Sequence, residues 1–402
     1  MKNRSGHIAL YWMVNLCRLA LAVTFIFSGF VKAIDPMGML YKLNAYFVHW
    51  GFTFDDDSLL LKFIVTSLAT VEFLSGIYLL LGIRRRSTSY LVLFFMLGMT
   101  MLTTYVYAYN PVPDCGCFGE AVEISNGATL IKNILLLVAA IIIVPFAPYM
   151  KRLISERNQW ISSIYSLFYI IALSLLAYHY LPVMDFTPFR NGTDLRASWY
   201  GEGNSPEDIP VELQALTLTT ADGQEDRTEA LLNDTGYTFL VTIPQISTAD
   251  DGCNDRINDL YDDCHDNGYG IYGIVGNNAS QEEINEWIDR TGATYPILKC
   301  DPPLLKAMVR SNPGLLLLKD GVIINKWSNN NLPVLSEDRS WSRLTVYETV
   351  NLPLIKLLLW FVIPLFVITS IDGIWIGSKF YRHYIFKKKL KTKSHEKENC
   401  SR

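Results

Sequence analysis

The chain has 402 residues, half of them apolar and only 18% charged, with a formal net charge of −4. That apolar content excludes an ordinary water-soluble protein. Charge is unevenly placed: the stretch from about 184 to 350 is acidic, which excludes nucleic acid as its partner, while the tail through Lys387-Lys388-Lys389-Leu390-Lys391-Thr392-Lys393 is strongly basic.

In chain order, apolar runs at about 8–31, 58–83, 88–109, 128–148, 161–181 and 353–377 predict six helices that cross a lipid bilayer. The first is too long for a cleavable signal, is interrupted by Arg18, and is followed by no small-residue cleavage pattern. Every second connection is basic: Lys2 and Arg4, then Arg84-Arg85-Arg86, then Lys151, Arg152 and Arg157, then the tail. The positive-inside rule therefore predicts a multi-pass membrane protein with both termini cytoplasmic and residues of about 184–350 facing outward. The loops carrying Asp55-Asp56-Asp57 and Cys115/Cys117 would face the same outer side.

The expected organisation is a four-helix bundle over 1–150, a fifth span within 151–184, a linker over 185–211 and an α/β domain over 212–345. A sixth span over 350–378 and a basic tail over 379–402 complete it. The fold class is thus an α-helical membrane bundle, four helices plus two further spans, with an extracytoplasmic α/β domain. Within that domain, alternation over Leu213 to Thr219 reads as a strand and Tyr237 to Ile243 as a buried strand. A helix over about 252–266 follows, then a strand from Gly270 to Val275 and a helix opened by the capping box Ser280-Gln281-Glu282-Glu283. Tyr295 to Leu298, a helix from Pro303 to Arg310 and a hairpin turning at Lys319-Asp320-Gly321 close the pattern.

The residues with chemistry centre on Asp114-Cys115-Gly116-Cys117-Phe118-Gly119, in a short loop between two spans. A disulfide between thiols one residue apart closes a very small ring, and strained disulfides are the labile, oxidising ones. Redox exchange is the first reading. A permanent disulfide and a weak metal site with Asp114 are the alternatives, and metal lacks a second ligand pair in this half. A helix starting near Ser125-Asn126 would lower a nearby thiol's pKa.

Arg18 and Glu72 are ionisable groups inside apolar spans, which calls for pairing. Both lie roughly ten residues from the cytoplasmic ends of their helices, so a shared depth predicts an ion pair. Lys32 and Asp35 lie at the outer end of the first span, where Lys32 would stabilise a thiolate or Asp35-Pro36 would simply cap the helix. Seven cysteines occur. Cys17 in the first span and Cys400 in the tail read as inert. Cys253 and Cys300 fall at one edge of the expected sheet, with Cys253–Cys300 and Cys264–Cys300 as rival pairings and Cys253 as a candidate for mixed-disulfide exchange.

The first 150 residues resemble the DoxX and methylamine-utilisation MauE membrane families. The matching residues are Phe27-Ser28-Gly29-Phe30-Val31-Lys32-Ala33-Ile34-Asp35-Pro36, Glu72 with Gly76 and Gly82, and the Asp114 to Gly119 motif. The resemblance implies disulfide formation in extracytoplasmic client proteins and a quinone as electron acceptor, with no covalently bound cofactor. The α/β region resembles membrane-tethered thioredoxin-like domains, with Ser311-Asn312-Pro313 before a strand. That resemblance implies a cis Pro313 facing the active edge. No C-x-x-C opens the helix after Tyr237–Ile243, so only Cys253 stands near the family's reactive position. A relay through Cys115, Cys117 and Cys253 is the leading expectation. A non-catalytic scaffold with a redox-dead recognition domain is the alternative.

Overall fold

A computed structural model of the chain describes residues 2–112, 115–122, 124–201, 210–333, 355–375 and 378. Asp114, Cys400 and the basic tail lie outside the described residues. The protein is a multi-pass membrane protein. Six helices are long and apolar enough to cross a bilayer: Gly6–Ile34, Leu59–Leu81, Arg85–Tyr109, Asn126–Ile143, Gln159–His179 and Ile355–Trp375. They fall where the apolar runs predict, and side chains such as Leu16, Phe63, Phe94, Phe168 and Phe366 point outward, as a lipid-facing surface requires.

The membrane part begins with α1 (Lys2–Ile34) and a short helix unforeseen in the sequence, α2 (Pro36–His49). Asp35 breaks α1 and caps α2, its carboxylate accepting from the Gly38 N–H at 2.8 Å, with Pro36 in the first helical turn. Next come α3 (Leu59–Leu81), α4 (Arg85–Tyr109), α5 (Asn126–Ile143) and α6 (Gln159–His179).

α1 and α3 approach closely through two glycines. A Cβ on Gly29 would meet the Phe73 amide nitrogen at 2.5 Å, and one on Gly76 would meet that of Ile26 at 2.6 Å. These contacts set the antiparallel register, in which Glu72 lies level with about residue 30 of α1.

The α/β domain holds α7 (Leu195–Tyr200), α8 (Val211–Gln214), β1 (Thr219–Thr220), α9 (Thr228–Leu232), β2 (Tyr237–Ile243) and α10 (Asn254–Asn267). It continues with β3 (Gly270–Gly276), α11 (Gln281–Thr291), β4 (Ile297–Cys300), α12 (Pro302–Met308), β5 (Gly314–Lys319) and β6 (Val322–Ser328). The sheet order is β1-β4-β3-β2-β5-β6, with β2, β3 and β4 mutually parallel and β5 and β6 antiparallel. The Asn312–Pro313 peptide is cis. Apolar clusters cover both sheet faces, as the continuous apolar strands β2 and β5 require.

Two expectations change here. The alternating stretch from Leu213 is mostly not strand. It begins as α8, and Leu213, Leu216 and Leu218 serve as core anchors. Part of the expected linker is packed structure: Phe189 and Leu195 are buried in the same core, and Gly192 and Leu195 donate to the Ile323 and Gly321 carbonyls at 2.7 and 2.9 Å.

The last described helix, α13 (Ile355–Trp375), returns to the bundle and packs Phe361 against Phe73 and Tyr169. Its buried Asp372 accepts from the Ser155 amide and hydroxyl at 2.6 and 2.7 Å and from the Asn158 side chain at 2.6 Å.

Candidate functional site

The loop between α4 and α5 sits at the end of the bundle that meets the α/β domain. Gly116 and Gly119 adopt φ of +69° and +58°, a left-handed geometry that favours glycine, and the Gly119 N–H bonds the Gly116 carbonyl at 3.1 Å. This tight turn brings the Cys115 and Cys117 sulfurs to 3.0 Å as free thiols. Tyr46 of α2 donates to the Cys115 carbonyl at 3.4 Å, and Phe118 packs edge-on against Phe27 of α1.

Beneath the turn lies a buried polar knot. The Lys32 ammonium donates to the Glu72 carboxylate at 2.7 Å, the Ser28 hydroxyl at 2.7 Å and the Cys117 carbonyl at 2.9 Å, which uses all three of its protons. Ser28 has one proton to offer and two acceptors within reach, Glu72 at 2.7 Å and the Cys117 carbonyl at 2.6 Å. Lys32 and Glu72 are each 2% exposed, so the pair is desolvated and holds only because every donor is satisfied.

The ion pair expected between Arg18 and Glu72 is therefore not formed. In the register set by Gly29 and Gly76, Arg18 lies near the far end of α3, where its guanidinium donates to the Lys151 carbonyl. On that side α1 begins well beyond the end of α3, so equal distances from the two helix ends are not equal depths. Lys32 is Glu72's partner instead, one turn beyond Ser28 on the same face of α1.

The thiols differ electrostatically. Cys117 is drawn down to about 7 by the hydrogen bond from Cys115, against burial, with the Lys132 and Lys32 ammoniums adding to the effect. Cys115 is pushed up by its hydrogen bond to Cys117 and by burial. The downward pull on Cys117 thus comes from its neighbour thiol and from lysines rather than from the N-terminus of α5. Lys132 of α5 lies over the Phe118 ring at 3.9 Å. A small cleft between α1, α3, α4 and α5 is lined by Cys117, Phe118, Lys132, Asn133, Glu72 and Phe95 among others.

The α/β domain is fastened directly over this region. Arg310, three residues before the cis proline, is buried between Asp35 at 3.2 Å and Glu120 at 2.5 Å, with its guanidinium over the Tyr41 ring. Lys306 adds a contact to Asp56 at 2.5 Å. Asp35 thus both caps α2 and anchors the domain. Glu120 follows the Cys motif immediately, so the clasp and the thiol turn share one loop.

Cys253 lies at the N-terminus of α10, where it is 5% exposed and its thiol is pushed up to about 11, chiefly by burial. Its sulfur contacts the Asp250 carbonyl at 3.7 Å. Cys264 is buried on the same sheet face as Cys253, whereas Cys300 packs into the core on the opposite face. Both pairings expected for Cys300 are overturned by this: residues two apart in a strand share a face, so Cys300 lies with Leu298 on the face away from Cys253 and Cys264. All three are free. Cys17 is half-buried and free. Among the described residues, no group of three or more His, Cys, Asp or Glu is placed to hold a metal ion.

Sequence reasoning missed Arg310, Glu120, Tyr41 and Lys132. Lys132 carried a signal, a lysine inside an apolar span seven residues after the N-cap Ser125. The others carried none, because their partners lie in a different domain.

Residues 10–146 match the family model described as Methylamine utilisation protein MauE. The membrane region that carries the thiol turn is thus MauE-like. No curated protein and no solved structure matches the chain.

Proposed function

We propose that this protein, with its MauE-like membrane region, is a thiol–disulfide electron relay for extracytoplasmic proteins, with Cys115 and Cys117 as the exchanging pair. The observation that carries the reading is two free sulfurs 3.0 Å apart in a glycine-shaped turn, one drawn toward thiolate and the other held as thiol. Thiolate attack on a disulfide needs that asymmetry between attacking and leaving sulfur. In the proposed cycle a client dithiol is oxidised to a disulfide as the Cys115–Cys117 disulfide is reduced. A membrane-soluble quinone then accepts the two electrons and two protons and becomes a quinol.

The α/β domain is proposed as thioredoxin-like, on the grounds of its sheet order, its closing antiparallel hairpin and the cis Asn312–Pro313 peptide. Its Cys253, buried and protonated at neutral pH, is assigned no exchange in this scheme. The domain's task is to cover and orient the thiol turn through Arg310. The placement of lysine and arginine supports cytoplasmic termini with the domain on the outer side, and the likeness to MauE supports an inner-membrane location with that side the periplasm.

A second reading, a non-catalytic scaffold, draws on that same buried Cys253 and on the clasp that occupies the edge beside Pro313. Thiol trapping in intact cells separates the two. Redox cycling requires Cys115 and Cys117 to pass between trapped and blocked forms with oxidant and reductant. A pair locked in one form under all conditions, with Cys115→Ser cells keeping normal envelope disulfides, leaves only the scaffold.

A further inference from the structure

Three lysines stand near the thiol turn, and their surroundings differ. Lys42 of α2 donates to the Gly119 carbonyl at 3.2 Å. Lys32 has spent its three protons on Glu72, Ser28 and the Cys117 carbonyl. Lys132 has no carboxylate within 4 Å among the described residues; the Phe118 ring lies beneath it at 3.9 Å, and Glu72, already paired with Lys32, lines the same cleft. It lies about 9 Å along α5 from Asn126 at 1.5 Å per residue, inside a span that matches bilayer length. An ammonium there is costly without a counter-charge, and a cation–π contact supplies only part of one. Lys132 and Cys117 line the same cleft, which Cys115 does not.

We propose that Lys132 is the counter-ion of Cys117, so that Cys117 rather than Cys115 is the thiolate and leaving sulfur of the pair. The leaving-group part rests on the redox reading above. A client thiolate attacks the Cys115 sulfur of the oxidised pair. A client–Cys115 bond forms and the Cys115–Cys117 bond breaks, its electron pair departing on Cys117 beside the Lys132 ammonium. The client's second thiolate then displaces Cys115, which takes up a proton and stands as the thiol. A sulfur of lower pKa leaves faster, so the lysine directs attack to Cys115 by stabilising the departure of its neighbour. Lys132 acts through Cys117 and is a positioning residue.

The test uses the full chain, reduced and embedded in lipid nanodiscs, in a Cys115→Ser background that keeps a hydroxyl next to Cys117. The pH dependence of Cys117 alkylation by iodoacetamide is followed by mass spectrometry of its peptide. Lys132→Gln is expected to raise the midpoint by about one unit, the lower range for losing an adjacent opposite charge, and to slow alkylation at neutral pH about tenfold. Lys132→Arg restores the low midpoint. A purely structural lysine changes the melting temperature and leaves the midpoint alone.

The reciprocal experiment needs no lysine variant. Cys117→Ser removes the anion, and acylation of Lys132 at mildly alkaline pH is expected to speed up severalfold. A folded Lys132→Gln protein that titrates like its parent, or a Lys132 indifferent to Cys117→Ser, overturns the proposal in favour of an ammonium reaching to the lipid headgroups. Neither readout requires turnover. A pair that never cycles in cells therefore removes the redox reading alone, and an unchanged titration in a cycling protein removes the role of Lys132 alone.

Discussion

Replacing Arg310 by Met should release the α/β domain from the thiol turn. The guanidinium sits 3.2 Å from Asp35 and 2.5 Å from Glu120, with its side chain 4% exposed. Met keeps much of the apolar stem against Tyr41 and removes the charge, stranding two carboxylates beside each other in a desolvated site. Breaking a buried pair in this way costs about 3–5 kcal/mol, well above the ~0–1 kcal/mol of an exposed bridge. The Glu120 carboxyl is already pushed up by burial even with Arg310 in place, so losing the guanidinium favours its protonated form further.

Hydrogen exchange reads the local opening directly. Amides of the thiol turn and of the start of α2, including the Gly38 N–H held by Asp35, should exchange about a hundredfold faster or more. Replacing the whole clasp, with Arg310→Met, Asp35→Asn and Glu120→Gln together, should recover most of the protection, since no charge is then stranded and Asn still caps α2. Exchange in Arg310→Met within about threefold of the parent, matching a loss below ~1 kcal/mol, would refute the idea that this clasp holds the domain down.

Glu72→Leu should lower the melting temperature by an amount matching about 3–5 kcal/mol, because Lys32 is left charged and buried, and adding Lys32→Met should reverse most of that loss. A double variant no more stable than the single one would show that the pair is not what matters. Gly29→Ala should destabilise the α1–α3 contact by about 1–3 kcal/mol or more, since its Cβ would meet backbone that cannot step aside. An unchanged melting curve would contradict the close packing. Asp372→Ala should cost about 0.5–1.5 kcal/mol by removing the shared acceptor of the half-buried Ser155 and Asn158 donors, read as faster proteolysis between α5 and α6; equal protease resistance would rule this out.

The six spans, the strands of the α/β domain after the first and the thiol turn could be read from the chain alone. Burial in lipid demands about 20 apolar residues in a row, buried strands need short apolar runs, and a tight turn needs Gly116 and Gly119, and each of these is a property of neighbours in sequence. Which charge meets which was decided only in three dimensions. Helix register is set by where Gly29 and Gly76 allow backbones to touch, and that register gives Glu72 to Lys32 and sends Arg18 to the opposite end. The side of the sheet on which Cys300 lies is fixed by β4 running on to Cys300, past the Leu298 at which the apolar run ends. The clasp of Arg310 on Asp35 and Glu120 joins residues up to 275 positions apart, and nothing local to any of them encodes a partner at that distance.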